Sequence, residues 1–203
     1  MNIPYKGKFK ISQRYKGSEH DGLDMVGIDD KNIYSTINGW VEYAGWENSK
    51  NHKQGFGQYV KIVMAGSTDR YYFGHLSKIC VKKGDIVKRG QKIGEEGCTG
   101  KSTGSHLHYC VREHGQKSKY KDISLISAVS NKEGIYQAPK DRWVKDDYGW
   151  WYCYAYGGYP KECWMLLDSW YYFGQSGYAL QNTTFDYKGK QYVFGNDCRC
   201  VNP

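Results

Sequence analysis

The sequence predicts a mainly β protein in two parts, an antiparallel β-sheet domain followed by a small module of repeated β-hairpins. Three observations carry this. Short segments rich in Val, Ile and Tyr are punctuated by Gly39, Gly84, Gly90 and Gly94; no long helical period is present; and an aromatic strand recurs about every 20 residues near the end. Composition divides the chain at about residues 1–130 and 140–203, with 131–139 as a polar linker holding one Gly and one Pro. Of the 33 aromatic residues, 18 fall in 140–203. Residues 1–139 carry 22 Lys and Arg against 14 Asp and Glu, whereas 140–203 carry seven of each, so the whole net charge of +8 belongs to the first part.

Along the first part, Gln58–Met64 alternates partly in polarity and ends at Ala65-Gly66-Ser67, a strand running into a turn. Ser105–Glu113 reads as a second strand. Asp122–Val129 is the one candidate for a short helix, with Asp122 placed to cap it. In the second part Trp151-Tyr152-Cys153-Tyr154, Trp170-Tyr171-Tyr172-Phe173 and Gln191-Tyr192-Val193-Phe194 recur at spacings of 19 and 21, with Trp164 and Phe185 each six residues ahead of its block. Stacked hairpins that bury their faces on one another satisfy such a period.

The chemistry concentrates in two phrases, His20-Asp21-Gly22-Leu23-Asp24 and His106-Leu107-His108, with His75 between them. On a strand, His106 and His108 project from one face while Leu107 enters the other. Two imidazoles then share a site. Catalytic zinc takes three protein ligands and leaves a position for water; His20, Asp24 and one histidine of the pair complete that count, leaving the other for proton transfer. His52 and His114 lie in polar, lysine-rich surroundings and read as surface residues. Gly100-Lys101-Ser102 imitates the end of a phosphate-binding loop, but Glu95 stands where the first glycine is required and His-Leu-His follows instead of an apolar helix, so a nucleotide site is rejected. Gly97, Gly100 and Gly104 are expected to let the backbone close over the cleft.

Residues 18 to about 112 resemble the lysostaphin/LytM-type zinc metallopeptidases. The matching stretches are Glu19–Met25, Ser35–Trp46, Tyr72–Ser77, Val81–Gly94 and Thr99–His108, in the family's order. The resemblance implies a Zn2+ enzyme that cuts peptide cross-links of bacterial peptidoglycan, with His20, Asp24 and His108 holding the metal and His75 and His106 as unligated catalytic histidines. His106 is expected to take the water proton, and His75 to stabilise the oxyanion or protonate the leaving amine. One departure is visible: lysostaphin has a tyrosine upstream of its first zinc histidine, the corresponding position here is near Ile11, and Tyr15 is the nearest substitute. The alternative of a catalytically silent wall-binding or hydrolase-activating protein is disfavoured because all five residues are present.

The segment from Gly149-Trp150-Trp151 to Tyr178 resembles choline-binding cell-wall repeats, the last copy being degenerate at Gln191. That resemblance implies a cation–π site for choline of teichoic acid or another wall polymer, with Trp150, Trp151, Trp164, Trp170 and Tyr172 as its residues. The basic first part suits anionic wall polymers. Nucleic acid is not the expected partner, since no block of five or six like charges occurs. Met1–Lys10 has no apolar core and no run approaches the ~20 apolar residues that span a bilayer, so neither a secretory signal nor membrane insertion is expected. With a wall substrate, this points to synthesis in the cytoplasm and action after release, as in phage endolysins. Seven cysteines without a Cys-x-x-Cys pair argue against a structural zinc ribbon and suggest free thiols.

Overall fold

A computed structural model of the chain describes residues 3–127, 129–155 and 157–203. It divides into two compact units, Met1–Pro139 and Lys140–Pro203. The first unit contains β1 (Lys8–Gln13), β2 (Gly22–Gly27), β3 (Asn32–Tyr34), β4 (Gly39–Trp46), β5 (Gln58–Met64), β6 (Asp69–Gly74), β7 (Lys78–Ile79), β8 (Ile86–Val87), β9 (Lys92–Glu95), β10 (Leu107–Glu113), β11 (Tyr120–Lys121), α1 (Ile123–Ser127) and β12 (Gly134–Gln137). The main sheet runs β12-β1-β2-β10-β6-β5-β4-β8, with β11 also on β10, and β3-β9-β7 form a small second sheet. All these pairings are antiparallel.

Alternation decides which side chains reach the core. Leu107, Tyr109 and Val111 of β10 are fully buried, as are Leu23 and Met25 opposite them on β2. Burying each such side chain contributes about 1.5–3 kcal/mol. The Tyr109 ring stacks on Phe73 at 5.2 Å, and its hydroxyl meets Thr36 Oγ1 at 2.7 Å, so the phenol enters the core without an orphaned polar group. The other face of the same strands is left to carry the site.

Several boundaries differ from the sequence expectation. The strand expected from Ser105 begins at Leu107, and His106 precedes it in an isolated bridge with Gly97. The helix spans Ile123–Ser127, shorter than Asp122–Val129. Its cap forms as expected, Asp122 Oδ1 accepting from Ser124 N at 2.9 Å. Ala128, assigned to that helix, lies outside the described residues. Gly84 and Gly90 lie in turns, whereas Gly39 and Gly94 lie within β4 and β9. The supposed linker is partly structural: residues 134–137 form β12 on the edge of β1, Phe9 opposite Tyr136 with rings 5.8 Å apart, and Ala138 is buried. An unpaired edge of β1 offers backbone donors and acceptors that a polar segment can satisfy as well as an apolar one. The first unit therefore closes at 139 rather than 130.

Glu96 is a buried carboxylate tying several segments together. It accepts from Tyr5 OH and Gly27 N at 2.7 Å on Oε2, and from Lys31 Nζ at 2.8 Å and Ser105 Oγ at 2.7 Å on Oε1. Burial works to raise its pKa, but these bonds, with Lys31 foremost, hold it below the ordinary range. Because the folded value is depressed, its stabilisation is present above the unfolded pKa of ~4.3 and is lost as pH falls through the folded value. Glu96→Ala leaves buried donors without an acceptor and is expected to cost about 3 kcal/mol. Urea unfolding at pH 7 measures it, and a loss under about 0.5 kcal/mol, the size of an ordinary surface substitution, would contradict the assignment.

The second unit holds three hairpins, β13 (Arg142–Asp146) with β14 (Gly149–Cys153), β15 (Cys163–Leu166) with β16 (Trp170–Phe173), and β17 (Thr183–Tyr187) with β18 (Lys190–Phe194). Their registers pair Trp143 with Tyr152, Trp164 with Tyr172, and Phe185 with Tyr192. The equivalent tyrosines are thus evenly spaced, not at the 19 and 21 expected from the aromatic blocks. Trp143 is the first hairpin's counterpart of Trp164, which sequence inspection passed over because equivalence is set by cross-strand pairing. Tyr171 and Phe173 form one buried cluster with Trp143, Trp150 and Tyr152, and Tyr172 and Phe194 form another with Trp164, Phe185 and Tyr192. The seven cysteines, all among the described residues, are free thiols. No helix among the described residues is long and apolar enough to cross a membrane.

Candidate metal centre

The pairing of β2 with β10 builds the centre. Asp24 stands directly opposite His108 across the two strands, so both side chains leave the same face of the sheet. His20 ends the loop before β2 and is oriented by its Nδ1–H, which donates to Arg14 O at 2.8 Å. His20 Nε2 and His108 Nδ1 then converge on Asp24 Oδ1, at 3.1 and 2.8 Å. One donor atom from each of these residues lies within 4.8 Å of the others.

Two further histidines stand beside this trio. His75 follows β6 in the left-handed region at φ 63°, a conformation that costs a non-glycine residue about 1–2 kcal/mol. Its backbone N–H donates to Phe56 O and its Nδ1–H to Thr99 O, both at 2.7 Å, which holds the ring in place. His106 Nδ1–H donates to Gly104 O at 2.8 Å. The His75 and His106 ring centroids are 4.7 Å apart, and His106 Nε2 lies 3.6 Å from Asp24 Oδ1. His20, His75 and His106 thus each give Nδ1–H to a backbone carbonyl and keep a lone pair on Nε2.

All five residues line a groove of about 920 Å³. The loop between β4 and β5 supplies His52, Lys53, Gly55 and Phe56 to it. His52, read as a plain surface residue, is exposed but stacks on Trp46 at 3.6 Å and belongs to this wall. Gly97 and Gly100 do allow close approach, since a Cβ would stand 2.4 Å from Ser77 N and 2.2 Å from Gly57 N respectively; Gly104 has open space around it. Tyr15 does not reach the groove. Its backbone is tied to Asn131 and its ring meets Tyr120.

Electrostatics mark a place for a cation. Burial works to raise the Asp24 carboxyl, yet hydrogen bonds led by His108 hold it well below the carboxylate range. Asp21 behaves likewise between His108 and Arg112. Burial pushes His75 down to about 4, so its imidazole is neutral at pH 7. His20 Nε2 is buried without a hydrogen-bond partner, since with its hydrogen on Nδ1 the ring has none to give the Asp24 carboxylate 3.1 Å away. An orphaned lone pair beside an ionised carboxylate and a second imidazole fits a metal ion of the zinc type. Sequence inspection missed Asp21 and Arg112 as members of the site, although Arg112 lies four residues after His108 and so on the same strand face.

In the second unit the five residues named for wall binding separate by burial. Tyr172 is buried, and Trp150 and Trp164 pack in the two aromatic clusters. Trp170 is 39% exposed, and Trp151, bonded through Nε1 to Asp146 at 3.1 Å, lies outside both clusters.

The sheet and its histidine–aspartate floor have the makings of a metallopeptidase centre. Residues 18–120, half of the chain, match the model of Peptidase family M23, and the chain belongs to that family. It is 34% identical over 145 residues to the peptidoglycan DD-endopeptidase ShyA of Vibrio cholerae, covering 66% of this chain and 32% of that protein. To lysostaphin of Staphylococcus simulans it is 31% identical over 138 residues, covering 66% of this chain and 27% of the relative. To the glycyl-glycine endopeptidase ALE-1 of Staphylococcus capitis it is 38% identical over 93 residues, 46% of this chain and 24% of that one. The chain thus spans about a third or less of the length of these relatives. Among solved structures, the catalytic domain of lysostaphin aligns with 60% of this chain and 91% of its own at 30% identity, with a TM-score of 0.48.

Proposed function

We propose that the chain is a zinc-dependent endopeptidase that hydrolyses peptide cross-links of bacterial peptidoglycan. The carrying observation is the convergence of His20 Nε2, Asp24 Oδ1 and His108 Nδ1 in a groove that also presents His75 and His106. Membership of family M23 and the named activities of the relatives support it. His20, Asp24 and His108 would hold the zinc. When bound, the ion supplies Lewis acidity and a water acidified toward pKa ~7.

The chain's own residues handle the protons. His106 Nε2 carries a lone pair at the groove and, less buried than His75, takes the water proton; as imidazolium it can then protonate the leaving amine. His75 is neutral and its hydrogen is committed to Thr99 O, so at rest it accepts a hydrogen bond and orients the attacking water. The oxyanion role expected from the sequence would need a donor on Nε2, which burial opposes. Digestion of purified walls with the full chain should release new amino termini, read by mass spectrometry. Chelation should abolish this and added zinc restore it; cleavage undiminished in metal-free protein would sink the reading.

The finer form of the proposal is a wall-anchored, endolysin-like enzyme, held by residues 140–203 through choline of teichoic acid or another wall polymer. Its support is the recurrence of aromatic hairpins with zero net charge and side chains such as Trp170 left exposed. Trp170→Ala in the full chain is expected to weaken sedimentation with walls several-fold while leaving cleavage of a short soluble peptide unchanged. Free choline at millimolar concentration should compete if choline is the ligand, since one cage contributes only ~0.5–2 kcal/mol per aromatic contact. Unaltered sedimentation would remove Trp170 from wall binding.

A further inference from the structure

Asp21 stands next to a zinc-type histidine yet lies outside the His20, Asp24 and His108 trio. Its carboxylate is clamped from two sides. Oδ1 lies 3.3 Å from His108 Nε2, and Oδ2 accepts from Arg112 Nε at 2.9 Å and Nη2 at 2.6 Å. Arg112 is buried, its guanidinium 5.0 Å from the Phe56 ring and 5.1 Å from that of Tyr72. Phe56 in turn lies 5.5 Å from the His108 ring. The backbone makes room for this arrangement at Gly22, where a Cβ would stand 2.8 Å from His108 Nε2.

A neutral imidazole has one hydrogen, and an ionised carboxylate can only accept it. Without a metal, Asp24 Oδ1, 2.8 Å from Nδ1, also takes a hydrogen from the ring; once a metal occupies Nδ1 the one hydrogen must sit on Nε2, where Asp21 is its acceptor. The three other histidines of the site are fixed through Nδ1 by backbone carbonyls. His108 alone among the four has a carboxylate at each ring nitrogen, Asp24 at Nδ1 and Asp21 at Nε2. Cys110 Sγ also lies within 4.8 Å of donor atoms of Asp21 and His108. The guanidinium already on Asp21 opposes a second cation there.

We propose that Asp21, steadied by Arg112, is a positioning residue that sets His108 in its Nδ1-ligating form. The proposal rests on the zinc reading above. It is tested on the full chain by zinc affinity, from competition with a chromophoric chelator, and by the 15N spectrum of the His108 ring in zinc-loaded protein. Asp21→Ala should weaken zinc binding about 10- to 100-fold and move the Nε2–H signal of zinc-loaded His108, which loses its acceptor. Asp21→Asn, whose amide oxygen can still accept that hydrogen, should retain most of the affinity. Thermal unfolding of each variant separates loss of fold from loss of metal.

Zinc binding by Asp21→Ala as tight as by the native chain overturns the proposal and leaves the metal reading intact. A native chain that binds no zinc overturns both. If Asp21→Ala does not fold, the native zinc-loaded spectrum decides: hydrogen on His108 Nε2 supports the assignment, and hydrogen on Nδ1 overturns it.

Discussion

Asp24→Ala is expected to remove zinc and wall cleavage together. Asp24 Oδ1 is the atom on which His20 Nε2, His108 Nδ1 and, at 3.6 Å, His106 Nε2 converge. Structural zinc sites bind with ~10–16 kcal/mol, so one protein ligand is worth roughly 3–5 kcal/mol, or about a thousandfold in affinity. The backbone of residue 24 stays paired with His108 in the sheet, so the fold should survive. Metal content after dialysis, with thermal unfolding as a control, gives the result. One zinc retained per variant chain would show that Asp24 is not a ligand.

His106→Ala should behave differently. Its imidazole is assigned proton transfer, an effect worth about 10²- to 10⁴-fold in turnover, while zinc stays at the level of the native chain. His75→Ala is expected to fall in the same direction. Each ring is anchored to a loop carbonyl and lines the groove, so neither loss should unfold the protein. The informative measurement is turnover alongside zinc content for each variant. A variant that keeps its turnover removes that histidine from the chemistry, and one that loses its zinc must be reassigned as a ligand.

Much of the site was legible because its signals are local in sequence. The alternation that buries Leu107 and turns His106 and His108 to the groove follows from the two-residue period of an extended chain. The Asp122 cap is equally local, an acceptor two residues ahead of the Ser124 N–H it binds. The residue types at positions 20, 24, 75, 106 and 108 and their order along the chain carry the family resemblance.

Only the tertiary structure decided what depends on pairing between distant segments. That Asp24 faces His108 is a matter of register between β2 and β10, and register is set by how the cores of both strands pack. Asp21 and Arg112 meet across 91 residues, so their clamp on His108 has no local signature. Residues 134–137 read as linker because a polar edge strand is stabilised by the backbone of β1 rather than by its own composition. Trp143 was missed for the related reason that its equivalence to Trp164 lies in the partner it faces. By itself the sequence determined the chemistry available to this protein, since side-chain type and short-range periodicity are properties of the chain. The orientation of each imidazole was decided by the fold, because the groups that fix their hydrogens are brought there by loops and by strands far apart in sequence.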